Sequence, residues 1–186
     1  MKKEIKELEF GQAFKYPFKR PAGLLNILWV FLPILGWLAL YGYTIRIVKH
    51  FTKGDFKALP GFKFGKSLGL GFFMLIKAIP FMIVLGVINA AVGRTPMGFI
   101  GTLFIAIFVV PILTVNFFNK ETVASYFELN KLAPVFKHIT EYIVVILKSI
   151  LLKIIFLLMI IVLVGLPAGA FTQNIFIADF YRRHVK

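Results

Sequence analysis

Long apolar runs separated by short basic stretches organise this chain. Residues 22–45 read AGLLNILWVFLPILGWLALYGYTI, residues 67–93 are apolar apart from Lys77 and Pro80, and residues 97–118 follow a short turn of Gly93, Arg94, Thr95 and Pro96. A fourth region, 139–181, is interrupted at Gly165, Leu166, Pro167, Ala168 and Gly169. A helix of 24 residues rises about 36 Å, enough to cross a hydrocarbon core of about 30 Å. The pattern therefore predicts an all-α integral membrane protein, a polytopic helical bundle formed by 1–186 as a single membrane domain. Segments 67–93, 97–118 and 139–164 are expected to be transmembrane helices, and 168–181 a further transmembrane helix or half-helix. The brevity of the turn at 93–96 makes the second and third segments an antiparallel hairpin, and Pro111 should kink the latter.

The first run has two readings. Pro33 and Gly36 divide residues 22–45 into halves of roughly a dozen residues, so the run is either a kinked membrane helix or a re-entrant hairpin. Residues 1–21 alternate charge with Leu8, Phe10, Phe14, Tyr16 and Phe18, a mixture suited to an interfacial segment with its aromatics in lipid. Residues 46–66 form a basic loop with breakers at Gly54, Pro60 and Gly61. Residues 119–138 place Val123, Tyr126, Phe127 and Phe136 at helix-like spacing, which predicts a second interfacial helix, and Ser125 with Glu128 has capping-box spacing. Phe14-Lys15 before the first run and Phe136-Lys137 before the last suggest a weak internal repeat.

Composition agrees with a lipid environment. With 59% hydrophobic and 16% charged residues and a mean hydropathy of +0.86, the chain has too little polar surface for a water-soluble fold. Of its 22 Lys and Arg residues, 18 sit in four blocks: 1–21 (six), 46–66 (six), 119–138 (three) and 182–186 (three). Basic residues flanking membrane segments favour the cytoplasmic side, so the blocks are predicted cytoplasmic in the cell membrane. A re-entrant 22–45 puts all 18 inside against Arg94 outside; a spanning 22–45 puts 12 inside (6 + 3 + 3) and seven outside (6 + 1). The net charge of +14 is spread over these flanks, which points to anionic lipid headgroups as partners and argues against nucleic acid. There is no cysteine, and the N-terminal stretch has no small-residue cleavage site for a removable signal.

The inventory for chemistry is thin. The histidines, His50, His138 and His184, fall in basic flanks, and neither HExxH nor GxSxG occurs, so no catalytic residue, metal site or cofactor is expected. The informative ionisable residues are Lys77, Lys148, Lys153 and Asp179, which fall within apolar runs. Lys77 lies about 16 Å of helix beyond Lys66, near the midplane of a span that starts there. Such charges normally face protein, water or a counter-ion. They either line one basic intramembrane cavity, partly neutralised by Asp179, or snorkel singly to a nearby surface. Gly65 and Gly69 have the GxxxG spacing of a close helix contact.

Residues 36–62, GWLALYGYTIRIVKHFTKGDFKALPGF, and 65–72, GKSLGLGF, resemble the core signature of a prokaryotic, largely archaeal, family of multi-pass membrane proteins, the domain of unknown function 4013. The signature falls on Gly42, Tyr43, Arg46, Leu59, Pro60 and Phe62, with Gly54, Gly69 and Leu70 also matching. Phe64, Gly65 and Lys66 stand where that family often has an acidic, Trp-containing stretch. The resemblance implies a membrane fold and no established activity. The expected role is non-enzymatic, organising the membrane or partnering a larger membrane complex or a second copy of the chain. The alternative is a small transporter or channel-like protein for an anion or lipid.

Overall fold

The computed structural model describes residues 7–92 and 95–186; Arg94 and the lysines at 2, 3 and 6 lie outside them. The described residues are helical with no strand. In chain order the helices are α1 (Phe10–Lys15), α2 (Pro21–Phe31), α3 (Leu35–Phe51), α4 (Phe64–Val92), α5 (Pro96–Lys120), α6 (Ala133–Lys137), α7 (Ile139–Leu158), α8 (Gly165–Thr172) and α9 (Ile175–His184).

Three stretches, Phe64–Ala91, Pro96–Lys120 and Ile139–Ile161, are long and apolar enough to cross a membrane. Only 17–22% of their most apolar windows is buried against protein, so their outward faces are built for lipid. Thr95 caps α5 by accepting a hydrogen bond from the Gly98 amide at 3.0 Å, and Pro96 occupies the first turn, where no amide hydrogen is needed. Pro111 does more than kink the helix. A π-turn at Ile105–Val109 precedes it, and the carbonyl of Ile107, four residues before the proline, accepts the Tyr142 hydroxyl from α7 at 2.8 Å. The bond that proline cannot make is supplied by the neighbouring helix.

Residues 22–45 fold back on themselves. The chain breaks at Leu32, Pro33 and Ile34, where Ile34 has φ 63°, and Trp37 Nε1 donates back to the Val30 carbonyl at 2.9 Å. Farther from the bend, Asn26 on α2 faces Tyr43 on α3. At the open end, Arg20 and Arg46 both donate to the loop between α3 and α4, at Leu59 and Gly61 (3.3 and 3.0 Å). Both ends of the run are thus fastened to one short segment. The last apolar region also turns back, at Leu163 with φ 59°, so that α8 and α9 return along α7. Gly165 permits this turn: a β-carbon there would lie 2.0 Å from the Phe156 carbonyl. The break falls within the expected interruption, but the return arm is two short helices separated at Gln173 and Asn174, and Ile175 to Tyr181 are buried in protein.

Two expected surface segments differ from their reading. The aromatics of the first stretch enter the protein instead of lipid: Phe10 stacks on Phe176, Phe14 on Phe156, and Tyr16 meets Phe51 edge-on at 4.7 Å. Residues 119–138 form two 3-10 turns, Val123–Phe127 and Leu129–Leu132, and then α6, in place of one helix. The capping box does not form because the Ser125 hydroxyl donates to the Thr122 carbonyl and the Glu128 carboxylate is taken by Lys120 and Asn116.

A close helix contact of backbone on backbone joins α3 to α4. A β-carbon on Gly42 or Gly71 would sit 1.9 Å from a backbone oxygen of the other helix, whereas Gly65 and Gly69 have nothing within 4 Å. Close approach therefore uses Gly42 and Gly71, and not the GxxxG pair. Gly71→Ala should lower stability by about 3 kcal/mol through backbone displacement. Gly69→Ala should leave the thermal unfolding midpoint in detergent at or above the wild-type value, since it removes only backbone freedom.

Candidate functional site

The polar groups concentrate where the ends of α3, α5, α7 and α9 meet. Helix α9 carries Asp179, Arg182, Arg183 and His184, placing cations in the last turn where the helix dipole favours them. The Asp179 carboxylate, 1% exposed, accepts from the Leu8 amide at 3.1 Å, Arg182 Nη2 at 2.5 Å and Arg183 Nε at 2.9 Å. Arg183 also bonds Glu141 through Nη1, and His184 Nε2 lies 2.9 Å from Glu141 Oε2. The rings of His138 and His184 face each other at 4.3 Å. Beside them opens a cavity of about 410 Å³ lined by Ala133, Pro134, Lys137, His138, Arg183 and His184.

Among the described residues, His138, Glu141 and His184 bring three donor atoms within 4.8 Å of one another. Both carboxylate oxygens of Glu141 are engaged, by Arg183 and by His184. Sequence reading missed this group because His184 is remote along the chain. The HxxE spacing of His138 and Glu141, one helical turn, was its only signal.

The four intramembrane charges do not share a cavity. Lys77 donates to the Glu121 carbonyl at 2.9 Å, at the polar end of α5 where Lys49 also pairs with Glu121. Lys148 pairs with Glu7 at 2.5 Å, and Asp179 belongs to the α9 network. Lys153 has no partner among the described residues. It lines a cleft of about 330 Å³ between α5, α7 and the α8–α9 break, whose polar groups include Thr114, Ser149, Gln173 and Asn174.

The basic blocks, by contrast, meet directly. Lys19 donates to the Phe56 carbonyl at 3.3 Å and Arg20 to Leu59, joining the first block to the second. Lys49 pairs with Glu121, joining the second to the third. Lys186 donates to the Thr52 carbonyl at 3.4 Å and Arg182 stands 5.0 Å over the Phe56 ring, joining the second to the fourth. Lys131 donates to the Val185 carbonyl at 3.1 Å, joining the third to the fourth. In the loop itself the Lys57 amide, followed by the His50 ring, holds the Asp55 carboxyl below its ordinary range.

The signature positions have a shared mechanical task. Gly42 admits α4, the Tyr43 hydroxyl donates to the Pro60 carbonyl at 2.9 Å, and Arg46 donates to Gly61. Leu59 packs on Gly23 and its carbonyl accepts Arg20, while Phe62 meets the Tyr43 ring at 5.2 Å. Together they strap the α3–α4 loop across the first hairpin. A family model described as protein of unknown function (DUF4013) matches residues 25–165. The chain belongs to this family. No curated protein and no solved structure matches it. The matched region covers the loop strap and all three long helices but stops before α9, so Asp179 and its arginines lie beyond it.

Asp179→Asn should destabilise the protein by about 3 kcal/mol, because Arg182 and Arg183 lose their buried counter-charge. Lys148→Met, at a partly exposed pair, should shift the melting midpoint far less. The hydrogen bond from Lys120, followed by that from Asn116, keeps the Glu128 carboxyl below its ordinary 4.5. This contribution is complete above 4.5 and is lost as pH falls through the lower folded value. Melting midpoints measured down this range should therefore drop more steeply in wild type than in Glu128→Gln.

Proposed function

We propose that this chain is a non-catalytic membrane-organising protein, multi-pass in the cell membrane, whose basic segments form one cytoplasmic face that holds anionic lipid headgroups and receives a membrane partner. The observation that carries the reading is the direct contact among all four basic blocks. Groups within hydrogen-bonding distance cannot lie on opposite sides of a hydrocarbon core about 30 Å thick. Every apolar region between the blocks then leaves this face and returns to it, the first as a re-entrant hairpin. With each cation near an anionic surface contributing roughly 1 kcal/mol, the clustered blocks favour such a leaflet strongly.

The separate partners of Lys77, Lys148 and Asp179 support this reading over transport, which needs a continuous polar path. Among the described residues, the Lys153 cleft favours the second reading, a carrier for an anion or lipid.

The native absence of cysteine gives a clean test. Gly11→Cys, Lys57→Cys and Asn130→Cys should be labelled by a membrane-impermeant reagent only after the cytoplasmic side is opened, and Arg94→Cys from outside in intact cells. External labelling at position 57 would sink the shared-face reading. Liposomes should show no anion or lipid flux that Lys153→Met abolishes; such flux would replace the proposal with the carrier.

A further inference from the structure

The cavity between the start of α7 and the end of α9 differs in character from the remaining basic surface, because its cations are gathered around one concave space and are incompletely satisfied. Lys137, His138, Arg183 and His184 line it, and Ala133 and Pro134 complete its wall. Lys137 has no partner among the described residues. Arg183 has a side chain only 9% exposed, and its Nη2 is buried with no hydrogen-bond partner, although its other nitrogens serve Asp179 and Glu141. A buried guanidinium N–H left unpaired is costly and is ordinarily met by an acceptor. His138 is also the residue preceding the first turn of α7, a helix of 20 residues whose dipole has its positive end here.

We infer that this cavity is a binding site for a phosphate group, borne either by a phospholipid headgroup or by free phosphate. The unpaired Nη2 of Arg183 and the ammonium of Lys137 supply the guanidinium donor and the point charge by which phosphate is usually held, beside the positive end of the α7 dipole. The inference rests on the basic face proposed above and assigns one of its sites. Charge also separates phosphate from the other ligand the geometry suggests. His138, Glu141 and His184 could in principle take a metal ion, but the one carboxylate is already shared by Arg183 and His184, and Lys137 and Arg183 line the same cavity. Lys137, with no partner among the described residues to offset its charge, repels a divalent cation and attracts a divalent anion.

The test uses the untagged full chain in a zwitterionic detergent, titrated with inorganic phosphate by calorimetry, and then in nanodiscs of phosphatidylcholine with or without phosphatidic acid. Phosphate should bind saturably at one site, and Lys137→Gln and His138→Gln should each weaken it at least tenfold while the melting midpoint stays near wild type. Lys57→Gln, in another basic block, should leave affinity unchanged. If phosphatidic acid in the disc occupies the site and excludes phosphate, the source is a headgroup; if phosphate binds equally in both discs, the source is soluble. Equal losses in all three variants would mean diffuse surface charge, overturning the cavity while leaving the shared basic face standing. Saturable binding of Zn²⁺ but not phosphate, lost in His138→Gln and Glu141→Gln, would overturn it in favour of a metal. No phosphate binding by the wild type would overturn it outright.

Discussion

A carboxylate removed from water must find its charge and its hydrogen bonds inside the protein, and Asp179 finds them in three places at once. The amide of Leu8 comes from the N-terminal segment, and the guanidinium groups of Arg182 and Arg183 come from the following turn of α9. Arg183 then reaches Glu141 at the start of α7. One buried acid thus ties the beginning of the chain to its last helix and, through one arginine, to a membrane-length helix. The desolvation cost of such a group is several kcal/mol unless its partners are in place, so these elements are ordered together or not at all. Glu7, adjacent to Leu8, pairs with Lys148 and extends the same tie along α7.

Around this polar junction the packing follows the logic of a protein whose solvent is lipid. Exposed leucine, isoleucine and phenylalanine on α4, α5 and α7 need no partner, because lipid covers them as well as protein would. Specificity comes instead from close backbone approach and from polar atoms that must be satisfied. Gly42 against Gly71, Tyr43 on Pro60, and Tyr142 on the Ile107 carbonyl are of this kind. The family signature gathers around the first two, which gives residues of unassigned function a structural reason for their identity.

The fold class was legible because hydrocarbon thickness dictates the length of apolar runs, and three of those runs are continuous helices of 28, 25 and 23 residues. Partners were not legible. Sequence position says how deep Lys77 lies but not that its ammonium reaches the end of α5, and it left open whether the four charges share one cavity or snorkel singly, where the structure gives each its own setting. Spacing alone misled at Gly65 and Gly69, since a close contact requires a second helix opposite the small residues. The interfacial reading of Phe10, Phe14 and Tyr16 failed for a related reason: amphipathicity shows that a face is apolar and cannot say whether lipid or protein covers it. His138 and His184 meet only because the last apolar region turns at Leu163.

The π-turn before Pro111 has a consequence for how α5 divides its work. One extra residue in a turn rotates everything beyond it by about 100° relative to an uninterrupted helix. The half from Phe99 to Ala106 presents its residues toward Leu85, Gly86 and Asn89 of α4, while Asn116 and Phe117 in the other half face Tyr181 and Tyr126. The helix is a single rod with two phases. A one-residue deletion within the π-turn would conserve every side chain on either side yet set the two halves against the wrong neighbours.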